Sequence, residues 1–169
     1  MSILKTKQIL IAILFSLPFL SALGQQTVVD TAFIYPAEIV DIKPIFKGGE
    51  STMWQVVGQN IRFPIDARQR VGNIGSAYIS FVVDENGQLD SSSIKFVLYL
   101  IESTNKKVKT QRIVQETKLD NVQLQCMYEA KRVVGLLKNW TPAQAEGKPV
   151  KCRKTLPIGF KNEGVMYRN

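Results

Sequence analysis

The segment 140-WTPAQAEGKPVKCRKTLPIGF-160 decides how the chain is read. It opens with Trp140 and Pro142, passes a turn at Glu146 and Gly147, and then alternates. Val150, Cys152, Leu156, Ile158 and Phe160 fall on one parity, and that face is apolar apart from Lys154. Lys151 and Arg153 fall on the other. Alternation with a period of two predicts a strand with one face on a core and the other toward water. Pro149 stands at its start and Pro157 inside it. Proline donates nothing to a ladder and belongs on edges or at strand ends, so the strand reads as an edge. An edge presents unpaired N–H and C=O groups, which are a hazard or a rail for another extended peptide.

The rest of the composition narrows the chemistry. A chain of 169 residues with 45% hydrophobic and 21% charged content is ordinary for one globular domain. It carries 22 Lys+Arg against 14 Asp+Glu, a formal charge of +8. Such a charge suits nucleic acid, anionic headgroups or an acidic wall polymer. The basic residues are scattered, however, and no basic helix interleaved with aromatics is present, so nucleic acid is not an expected partner. Histidine is absent. That removes Ser-His and Cys-His dyads, imidazole bases and histidine zinc ligands, and two cysteines alone do not build a structural zinc site. No catalytic residue, metal ligand or cofactor is assigned.

Residues 1–24 read as an export signal. Lys5 and Lys7 precede an apolar run from Ile9 to Leu20, and Ala22-Leu23-Gly24 supplies small residues where a peptidase cleaves. The run is short for a membrane span, which needs about 20 apolar residues. Cleavage after Gly24 would deliver the chain to the periplasm, and retention of residues 1–24 would leave an inner-membrane anchor. Residues 25–46, with Pro36 and Pro44, read as an extended leader with a short strand near Ile39 to Ile42. Stretched out, the leader would reach on the order of 75 Å.

Gly48 and Gly49 open a helical pattern through Met53, Trp54, Val57 and Ile61, with Thr52 and Gln55 as a candidate capping box. Pro64 ends the helix near Phe63. After a helical turn at 65–70, Gly72 and Gly75 bracket a bend into a hairpin. Ala77, Ile79, Phe81 and Val83 share a face, Asn86-Gly87 predicts a type I′ turn, and a central return strand runs from about Ile94 to Ile101. Ser92 and Lys95 match S-x-x-K, but in a hairpin the match is chance. Residues 102–118 read as a basic surface arm, with a possible extra hairpin. Asp120, with Gln123 placed to reciprocate, caps a second helix whose core stripe is Cys126, Ala130, Val133, Val134 and Leu137. Beyond Phe160 the tail 162–169 has no pattern.

The resulting expectation is an α+β two-layer sandwich. Two helices pack on a three-stranded antiparallel sheet in the order helix, strand, strand, helix, strand, within residues 47–161. From Phe46 to Phe160 this order resembles the TonB C-terminal domain family, in the subgroup with a P-x-F-x-G-G entry. The matching elements are Pro44-Ile45-Phe46-Lys47-Gly48-Gly49, Ile61-Arg62-Phe63-Pro64, Gly72 with Gly75, and Phe81-Val82-Val83-Asp84 with Gly87. Glu129-Ala130, Arg132-Val133, Trp140-Thr141-Pro142-Ala143, Gly147-Lys148-Pro149-Val150 and Leu156-Pro157-Ile158-Gly159-Phe160 complete the set in order. Phe63 replaces the family's tyrosine before Pro64, the arm is longer than the usual loop, and the long proline-rich spacer of a transducer is missing.

The resemblance implies binding without catalysis. Its known members grip a segment of an outer-membrane receptor by β-augmentation at their last strand. Carried over, the docking residues are Val150, Lys151, Cys152, Arg153, Lys154, Thr155, Leu156, Ile158 and Phe160, with the basic side chains selecting an acidic or polar peptide. The partner is then an outer-membrane receptor or another envelope protein, or the cell wall. An anchored chain would instead be an energy transducer coupled to the proton-driven ExbB and ExbD proteins. Two exposed last strands also invite a homodimer. Cys126 and Cys152 both sit on core-facing positions, where a disulfide and two buried thiols explain the pattern equally well.

Overall fold

The computed structural model of the chain describes residues 33–70, 72–102 and 111–162. The expected signal, residues 25–32 of the leader, residues 103–110 of the basic arm and residues 163–169 of the tail lie outside the described residues. Among the described residues no helix is long and apolar enough to cross a membrane.

The leader does not run free from Phe33 onward. It forms β1 (Tyr35–Pro36) and β2 (Ile45–Phe46), and between them Val40 is buried and the Asp41 and Ile42 amides donate to Gln144 O. The short strand expected at Ile39 to Ile42 is thus a single bridge, Ile42 to Gln144. α1 (Gly49–Asn60) starts earlier than Thr52, because Gly48 and Gly49 both take positive φ and turn the chain directly into the helix. The expected Thr52 cap is therefore unused, and Thr52 Oγ1 donates to Gly48 O at 2.7 Å instead. Met53 and Val57 face the core. Trp54, expected inward, lies at the surface with its indole N–H on Glu50. Pro64 is the N-cap of the short α2 (Ile65–Arg68).

β3 (Gly72–Val83) and β4 (Leu89–Glu102) form the expected hairpin, with a different turn. Gly87 alone has positive φ there, and the Asp84 carboxylate accepts from the Asn86 and Gln88 amides. That side-chain acceptor holds Asn86 out of the left-handed region, so the loop is wider than a type I′ turn. β4 also begins five residues before Ile94. Ser93 Oγ replaces part of the ladder there by accepting from Val82 N, at an irregularity that lets the polar run 90–93 continue the strand. β5 (Gln111–Val114) pairs antiparallel with Tyr99–Glu102, extending the sheet beyond the expected three strands.

α3 (Asn121–Val134) has the capping box the sequence predicts. Asp120 Oδ1 accepts from Gln123 N at 3.0 Å, and Gln123 Oε1 accepts from Asp120 N at 3.1 Å. Beyond α3, β6 (Trp140–Thr141) pairs with β2, and β7 (Ala143–Ala145) turns through Glu146-Gly147 into β8 (Lys148–Val150). Both turn residues have positive φ, as a two-residue hairpin loop requires. β9 (Cys152–Asn162) then crosses the sheet antiparallel to β3.

The sheet order is β1-β9-β3-β4-β5, a five-stranded sheet with helices on one side, within a mixed α+β fold. Met53 and Val57 of α1, Ala67 of α2 and the Cys126, Ala130, Val133 and Val134 stripe of α3 share one core with Ile79, Phe81, Tyr99, Leu156, Ile158 and Phe160. Trp140 belongs to it too, 5.3 Å from the Phe46 ring and 5.5 Å from Phe81 between centroids. Burying each such aromatic contributes roughly 1.5–3 kcal/mol. A smaller cluster gathers Val40, Ala143, Ala145, Val150 and Cys152 beneath the leader. Gly75, at φ 128, lets the Tyr99 ring lie against the backbone, where a Cβ would stand 2.3 Å from Tyr99 Cε1.

Candidate strand-docking site

The expected docking strand is two strands. Val150 ends β8, where it pairs with Ala143, and Lys151 is the break before β9. Both halves keep the parity read from the sequence, so Val150, Cys152, Leu156, Ile158 and Phe160 are all buried while Arg153 and Thr155 are exposed. The first part of the expected edge is occupied. β1 runs parallel to β9, with Tyr35 opposite Cys152 and Pro36 opposite Arg153, and the Tyr35 amide donates to Lys151 O at 2.9 Å. Val150, Lys151, Cys152 and Arg153 are therefore not available main chain, because the chain's own leader and the β7–β8 hairpin use them.

From Lys154 to Phe160 the outer side of β9 has no strand partner among the described residues. Lys151 O points toward β1, so backbone alternation turns the N–H and C=O groups of residues 153, 155, 157 and 159 outward and those of the even residues toward β3. Pro157 is thus at an outward position, where its missing N–H costs the β3 ladder nothing. Thr155 and Gly159 supply outward donors, and Thr155, Pro157 and Gly159 supply acceptors.

Beneath this edge lies a cavity of about 200 Å³ lined by Lys43, Pro44, Ile45, Phe46, Glu50, Met53, Trp140, Lys154 and Leu156. Lys154 Nζ stands 5.7 Å from the Trp140 ring centroid, a cation–π distance. The sequence offered no docking role for Lys43 to Phe46 or Met53. Pro44-Ile45-Phe46 read only as the helix entry, and their closeness to β9 depends on the β2–β6 pair.

At the far end of the same strand the half-buried Phe63 packs on Phe160, with centroids 5.8 Å apart. A shallow groove beside it is lined by Arg62, Ile65, Gln125, Tyr128, Glu129 and Arg132, among others. Burial there raises the Glu129 carboxyl, but the Arg132 guanidinium and the Arg62 amide outweigh it and hold the group below its usual range. Arg132 also donates to Asn60 O at 2.6 Å, tying α3 to the end of α1.

Cys126 and Cys152 are both free. They lie in separate clusters as buried thiols, Cys126 in the main core and Cys152 beneath the leader, which is the second of the two readings the sequence left open. Burial pushes both thiols up, Cys126 to about 11. The remaining motif residues are structural. Gly48 caps α1, and Gly87 lies against the Trp140 carbonyl, where a Cβ would stand 2.2 Å from Trp140 O. Pro142 stands between β6 and β7, and Gly147 turns β7 into β8. Among the described residues no group of three or more Cys, Asp or Glu is placed to hold a metal ion.

Comparison of the chain with protein-family models, curated proteins and solved structures returned no match.

Proposed function

We propose that this chain is a non-catalytic binding module of the TonB C-terminal type, working in the periplasm. It takes an extended segment of another envelope protein, such as an outer-membrane receptor, as an added strand on β9. The observation that supports this reading is the outward main chain of Lys154 to Phe160. Among the described residues it is an unpaired row of donors and acceptors, on a strand already firmly laddered to β3 and with its one internal proline at an outward position. Main-chain hydrogen bonds supply affinity in such an addition, and neighbouring side chains supply selectivity. Cys152 and Arg153 begin the same strand but are covered by β1, so the site is shorter than the alternation alone implies.

Thr155→Pro tests the reading, because it deletes an outward N–H without touching the β3 ladder. A photoreactive side chain replacing Pro157 identifies the captured segment in the native envelope. The expected result is a cross-link to an extended segment of an envelope protein, lost in the Thr155→Pro chain while its melting temperature stays within a few degrees. Equal capture by the Thr155→Pro chain would show that the partner binds elsewhere and would overturn the proposal.

A further inference from the structure

We infer that the cavity under β9 is the specificity pocket of this edge, and that it selects an acidic strand carrying one large apolar side chain. The inference rests on the strand-addition reading and names the partner's chemistry.

A strand added along Lys154 to Phe160 places every second side chain on the inner side of the sheet, beside Lys154, Leu156 and Ile158, whichever way it runs. Lys154 and Leu156 are the two β9 residues that line the cavity, and its floor is Phe46, Met53 and Trp140. An inner-side residue of the added strand at this register therefore stands over the cavity. The volume of about 200 Å³ exceeds the roughly 150 Å³ of an engineered apolar cavity that holds benzene. A leucine or phenylalanine side chain fits, and alanine leaves the space empty.

The rim sets the charge. Lys154 and Lys43 border the cavity, Arg153 precedes it on the outer face, and the described length of β9 carries no carboxylate. Glu50, the one acid in the lining, already accepts from the Trp54 indole N–H at 3.2 Å. A segment with acidic residues at the inner positions two before and two after its apolar anchor complements this rim, and one with lysine there is repelled.

The test uses the full chain and synthetic octapeptides of alternating threonine and valine. They carry Phe, Leu or Ala at one inner position, with either Glu or Lys at the inner positions two residues before and after it. Amide shifts of Thr155 and Gly159 report strand addition, and titration reports affinity. Glu-flanked Phe or Leu peptides should bind about ten-fold or more tighter than their Ala counterpart, a difference of about 1.4 kcal/mol. The Lys154→Glu chain, checked for an unchanged spectrum away from the edge, should reverse the preference between Glu and Lys flanks. Shifts at Thr155 and Gly159 with equal affinity across the set would overturn the pocket and leave strand addition standing. No shift with any peptide, or a self-paired dimer that excludes them all, would overturn both.

Discussion

Tyr99 is fully buried on β4, between β3 and β5, and its hydroxyl has no hydrogen-bond partner among the described residues. Its polar neighbour is the Cys126 thiol, close enough for the two to influence each other's ionisation but outside hydrogen-bond geometry. A buried hydroxyl left unpaired costs roughly 1–3 kcal/mol, so removing it is favourable when the ring stays in place. Tyr99→Phe should raise stability by about 1 kcal/mol in urea unfolding at pH 7. A loss of stability would mean that the hydroxyl is satisfied. The same burial keeps both acids neutral in the fold beyond the pH at which they ionise in the unfolded chain. Their contribution is complete below about pH 9 and is lost as pH rises, for Cys126 through about 11. Unfolding followed from pH 8 to 11 should show this fall, and Tyr99→Phe should keep the Cys126 part of it.

At the scale of elements, α3 depends on its first turn. Asp120 serves two partners there, the Gln123 amide of the capping box and the Arg70 guanidinium at 3.0 Å, which joins the chain after α2 to the start of α3. Partial burial raises its carboxyl, but these two partners outweigh burial and the net shift is downward. A depressed carboxyl contributes stability above its unfolded value and loses it as pH falls through the folded one. Asp120→Ala should cost about 1 kcal/mol at pH 7, and the gap from the native chain should narrow below about pH 4. A gap independent of pH would assign the whole effect to helix propensity. This box was legible because its two residues are local, and so were the Glu146-Gly147 turn and the inward parity of the last strand. The break at Lys151 was not. The alternation of Val150, Lys151, Cys152 and Arg153 runs straight through it, and only the pairing of Val150 with Ala143 and of Cys152 with Val83 divides the strand. The Asn86-Gly87 turn was misread for a similar reason, since the decisive acceptor is the Asp84 carboxylate two residues earlier.

Across the whole molecule, the leader decides how much of the β9 edge is exposed. A strand of two residues containing a proline has no periodicity, so β1 could not be read from sequence, whereas its consequence for β9 is large. The leader is held unevenly. Phe46 is buried against Trp140, Val40 is buried in the smaller cluster, and Asp41 accepts from the Glu146 amide at 2.6 Å, while Phe33, Ile34 and Ile39 are exposed. The parallel register places the Arg153 N–H opposite the Tyr35 carbonyl, so its hydrogen exchange reports whether β1 is closed. A chain beginning at Ala37 should melt within a few degrees of the native chain and exchange the Arg153 amide faster. Its open edge then runs from Cys152 rather than Lys154. A chain beginning at Lys47 also loses Phe46 and Val40, and removing a buried Phe costs roughly 3–5 kcal/mol, so it should melt far lower. Equal destabilisation by both truncations would make β1 a structural strand of the fold. If only the longer truncation is destabilising, β1 is a loosely held occupant of the edge, and a partner strand long enough to reach Cys152 must displace it, so the shorter truncation should bind that partner more tightly.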